Sequence, residues 1–116
     1  METIVSVREG RLEGCRSADE KSIIFKGVPY AEPPVGALRW KRPQPKAPWD
    51  GVRSAKEFSA KAHQADLTRE GFYAKEFYTD ERIERSEDCL YLNIWTPADV
   101  QPGDKLPVLF WVHGGA

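Results

Sequence analysis

The chain has 116 residues, 41% hydrophobic, 11% aromatic and 30% charged, so it holds enough apolar surface to build a core and is excluded from the disordered class. A formal net charge of -1 supplies no basic field for nucleic acid or an anionic membrane surface. The start, "METIVSVREGRLEGC", has neither the basic region nor the apolar core of a leader, and no run reaches the roughly 20 apolar residues that cross a bilayer; a cytoplasmic location is expected.

In chain order, "TIVSVREGRLEGC" alternates around a turn at Glu9-Gly10 and predicts a two-stranded hairpin. "SIIFKG" predicts a third short strand. "VPYAEPPVGALRWKRPQPKAPWDG" holds most of the nine prolines and therefore reads as a loop, ordered because Tyr30, Trp40 and Trp49 are costly to leave in water. "SAKEFSAKAHQ" (54–64) and "LTREGFYAKEFYTDERIER" (67–85) carry helix formers with a weak apolar stripe and predict short helices within a long excursion. "CLYLNIWTP" predicts a strand stopped by Pro97, and "ADVQPGDK" a turn-rich connector.

Leu106 to Val112, "LPVLFWV", is apolar on both faces, the pattern of a strand covered by helices on each side of an α/β sheet. No strong amphipathic helix accompanies it. The expectation is an unfinished sheet, that is, a piece of a larger protein.

Cys15 and Cys89 show neither CxxC nor His-Cys ligand spacing, so two ordinary thiols are expected, with no metal site. Glu87 and Asp88 are adjacent at a strand entrance and point different ways, which favours a structural ion pair over paired acid/base chemistry. Lys41-Arg42 reads as a solvated face rather than a phosphate patch.

Three stretches together resemble the type-B carboxylesterases, the α/β-hydrolases that include cholinesterases and para-nitrobenzyl esterases: "FKGVPYAEPPVGALRWKRPQP" (Phe25 to Pro45), "SEDCLYLNIWTP" (Ser86 to Pro97) and "FWVHGGA" (Phe110 to Ala116). "SEDCLYLNIW" is the specific string; "HGG" alone is weak. The resemblance implies that residues 1–116 are the incomplete N-terminal portion of a single α/β-hydrolase catalytic domain, with small antiparallel strands followed by the first strands of the central twisted sheet. It implies a serine carboxylesterase that converts a small-molecule ester to acid and alcohol without a cofactor. The chain contains no GxSxG, and His63 and His113 do not fall where the family's catalytic His would, so the triad must come from the remainder of the same enzyme chain. The rival reading is a catalytically inactive cholinesterase-like binding or adhesion module.

By the same resemblance, the backbone N–H groups of Gly115 and Ala116 are oxyanion donors. His113 and Gly114 shape their turn, and Glu87 reaches Arg39 to lock the proline loop to the sheet. Phe72 and Tyr73, with Phe77 and Tyr78, line either a substrate pocket or the core; both readings stand. In secreted cholinesterases the Cys of "EDCLYL" is bridged to an upstream Cys, where this chain has His63. The bridge is therefore expected to be absent here.

Overall fold

The computed structural model describes residues 3–64, 72, 76 and 84–114. Among the described residues six strands form two three-stranded sheets. The first sheet has the order β1-β2-β5, with β1 Ile4–Val7, β2 Gly10–Glu13 and β5 Val52–Ser54. The second has the order β3-β4-β6, with β3 Cys15–Arg16, β4 Ser22–Pro29 and β6 Tyr91–Pro97.

The alternating N-terminal run gives the hairpin, β1 antiparallel to β2, with Val7 opposite Gly10. The turn is therefore Arg8-Glu9, one residue earlier than the sequence pattern suggested. At Gly14 the chain leaves the first sheet and enters the second. The corner needs glycine, because a Cβ there would lie 2.5 Å from the Ile24 carbonyl oxygen and 2.9 Å from the Phe25 ring.

Within β4, Ile23, Phe25, Gly27 and Pro29 are buried while the residues between them are half-buried, the period of two that one core-facing side imposes. Both β3 and β6 pair antiparallel with β4. From Phe25 to Val28 β4 advances by one residue more than β6, from Ile94 to Leu92, and this places a bulge at Lys26-Gly27. Gly27 has φ +63, and its freed N–H donates to Asn93 Oδ1 at 2.9 Å. At the same point the Lys26 N–H turns away to donate to the Ala55 carbonyl at 2.7 Å, tying the second sheet to the end of β5.

The core lies between the sheets. Leu12 and Ala55 contribute from one side, Ile23 and Phe25 from the other, with Val5, Val28, Trp49 and Ala98 packed around them. Ile23 is fully enclosed at 0% exposure.

The proline loop between β4 and β5 is ordered by polar contacts and by proline, not by burial of all three aromatics as expected: Tyr30 and Trp40 stand exposed at 52% and 90%, and only Trp49 packs against the core. The Glu32 carboxylate accepts from the Ala47 N–H at 2.6 Å and from Lys46 Nζ at 3.0 Å, which holds its carboxyl below the ordinary carboxylate range, with the Ala47 amide the larger cause. Trp49 closes the loop onto the hairpin: its N–H donates to the Glu9 carbonyl at 2.8 Å, and its indole Nε1 donates to the Arg11 carbonyl at 3.0 Å.

Two sequence expectations are corrected. The helix anticipated over 54–64 is not formed. Ser54 ends β5, and Ala55 spends its N–H on the Glu13 carbonyl and its carbonyl on the Lys26 N–H, so neighbouring strands take the bonds that an i→i−4 ladder would need. The strand anticipated over 106–112 has no ladder partner among the described residues, and its side chains stand in water, Val108 at 88% and Leu109 at 92% exposure. A segment apolar on both faces becomes a strand when neighbours bond both edges and cover both faces, and no described element does so. Of the helix expected over 67–85, Phe72 and Glu76 are helical and Arg85 forms an isolated bridge; 67–71, 73–75 and 77–83 lie outside the described residues.

Candidate active-site segment

The segment that carries the candidate amides is launched by β6. Beyond Pro97 the Ala98 N–H donates to the Lys21 carbonyl at 2.9 Å, anchoring the exit to the start of β4. A tight turn follows, in which the Gln101 N–H donates to Asp104 Oδ2 at 2.7 Å and the Asp104 N–H returns to the Gln101 carbonyl at 3.1 Å. The apolar run and then His113-Gly114 come next. His113 is exposed, and its Nδ1 lies 2.9 Å from the Gly114 carbonyl oxygen, a contact that the Nδ1–H tautomer makes as a hydrogen bond. Gly115 and Ala116, like Tyr73, Phe77 and Tyr78, lie outside the described residues. Phe72 is exposed at 67% and contributes nothing to the described core.

On the entry side of β6, Arg39 Nε lies 2.5 Å from Glu87 Oε1. The side chains keep 56% and 40% of their exposure, so in this chain the pair is a surface contact and not the desolvated lock that a buried pair would form. The Arg39 guanidinium also sits 5.4 Å from the ring centroid of Trp40, an exposed indole on a residue with φ +61. The neighbouring carboxylate takes a different partner: the Tyr91 phenol is pushed up first by burial and then by its hydrogen bond to Asp88. Glu87 and Asp88 thus point apart, toward the proline loop and toward β6.

The base of the excursion is closed by backbone. The Lys61 N–H donates to the Glu84 carbonyl at 2.9 Å and the Ser86 N–H to the Lys61 carbonyl at 3.0 Å, making a parallel bridge between Lys61 and Arg85. His63 is exposed just inside this neck. Cys15 and Cys89 are both unpaired. Cys15 lies in one row with Ile24 and Trp95, whereas Cys89 lies beyond the other end of β6. From Trp95 to the start of β6 at Tyr91 alone is roughly 13 Å along the strand, with about 10 Å more across two strand spacings, outside disulfide reach. Among the described residues no group of three or more His, Cys, Asp or Glu is placed to hold a metal ion.

Sequence reasoning missed Asn93. The signal was there: one amide side chain inside the apolar string "LYLNIW" is a polar group that needs a partner, and the bulge at Gly27 supplies it. The Lys61–Arg85 bridge had no such signal, because backbone pairing between residues so far apart leaves no mark on side-chain type.

The sequence model of the carboxylesterase family matches residues 1–116. The chain belongs to the carboxylesterase family. It is similar to the acetylcholinesterase of Danio rerio, at 45% identity over 97% of this chain and 18% of that protein. It is also similar to carboxylesterase 1E of Mus musculus, at 44% identity over 79% of this chain and 17% of that protein. Among solved structures it resembles the Geobacillus stearothermophilus carboxylesterase EST55, with TM-score 0.76 and 41% identity over 98% of this chain and 20% of that one. A PNB esterase gives TM-score 0.80 and 32% identity over 99% of this chain and 22% of that one. These neighbours are α/β-hydrolase esterases. The chain spans about a fifth of the length of the relatives it matches, and what it holds of their architecture is a strand-rich portion.

Proposed function

We propose that this chain is the N-terminal segment of a serine carboxylesterase that hydrolyses carboxylic esters to acid and alcohol, acting with the remainder of the same enzyme chain on a small-molecule ester. The observation that carries the reading is the family match along the whole chain, joined to the specific string at Ser86 to Pro97, whose Tyr91–Pro97 the fold uses as β6. Within that reading Gly115 and Ala116 donate their backbone N–H groups to the oxyanion. A carbonyl oxygen gains charge during acyl transfer, and fixed amides stabilise it without reorganising in the transition state. Glycine beside them permits close approach of the substrate. His113 and Gly114 position this turn, while nucleophile, base and acid come from elsewhere in the enzyme. The unpaired state of Cys15 and Cys89 supports a reducing, cytoplasmic setting.

The experiment uses the enzyme that contains this segment. It should hydrolyse a nitrophenyl ester and take up one equivalent of a labelled organophosphate. An enzyme that does neither is the inactive cholinesterase-like binding module instead. In the active enzyme Ala116→Pro removes one donor and should lower kcat by about 10²–10³. Ala116→Gly keeps the donor and should stay within about tenfold of the parent. A folded Ala116→Pro enzyme with unchanged kcat, its circular dichroism intact, would remove that amide from the oxyanion hole.

A further inference from the structure

We draw no further inference here: the strongest candidate, the exposed apolar segment from Leu106 to Val112 together with the edge of β6 that is unpaired among the described residues, carries nothing because no described element shows what covers it.

Discussion

The two-sheet body and the segment that follows β6 are both rich in β-formers, yet one is a folded core and the other is not. In the body the central strand β4 finds hydrogen-bond partners on both edges and a facing layer, and it buries Ile23 and Phe25 against Leu12 and Ala55. Leu106 to Val112 is more apolar than any of these strands, but it has no ladder partner among the described residues and stands largely in water. Hydrophobicity alone does not make a strand. What distinguishes the two regions, among the described residues, is whether a segment has a bonded neighbour and a covering layer.

The strongest way to break this contrast is to remove the unpartnered region. The isolated chain 1–116 should self-associate through its exposed apolar segment, and a chain ending at Lys105 should sediment mainly as monomer. Sedimentation velocity on the two checks this, and equal behaviour would make the segment harmless. In the body, Ile23→Ala should cost about 2–5 kcal/mol, read by denaturant unfolding of the chain ending at Lys105, because a fully enclosed side chain leaves a cavity. The surface pair sharpens the comparison from the other side. In that shortened chain Arg39→Ala should cost only about 0–1 kcal/mol, since both partners remain substantially exposed. A loss of several kcal/mol would show that the pair is buried in solution.

The smallest effect concerns the proline loop. Glu32 has its folded value lowered by the Ala47 amide and by Lys46, so its contribution is fully present above the ordinary carboxylate range and is lost as pH falls through the lowered folded value. Glu32→Gln should flatten that acid limb and lower stability at neutral pH to the level the parent reaches in acid, as followed by circular dichroism across an acid titration.

Local patterns made part of the fold legible in the sequence. The alternation in "IVSV" marked β1, the run "SIIFKG" marked β4 up to Gly27, and Pro97 ended β6 where expected; the proline content marked the loop before β5 except for Val28-Pro29, which extend β4. The rest depends on contacts distant in sequence. β2 pairs in parallel with β5, Arg11 opposite Val52, and nothing in "VRS" announces that partner. The helix-forming composition of 54–64 lost to backbone bonds from Glu13 and Lys26. For the candidate site, spacing separated Glu87 from Asp88, but the choice of Arg39 as partner came from family likeness, because charge pattern alone does not select one cation among many. The terminal amides have no side-chain signature beyond glycine itself.

The neck at Lys61 and Arg85 has a consequence for how this fold can vary. Once two backbone bonds fix the ends, the free energy of closing the intervening segment grows only logarithmically with its length, so doubling residues 62–84 would cost about 0.6 kcal/mol. The closure cost by itself tolerates changes of length between the neck residues, whereas Lys61→Pro, which removes the N–H given to Glu84, breaks the neck itself. Length differences in this excursion can therefore accumulate while the two sheets and the register of β6 stay fixed.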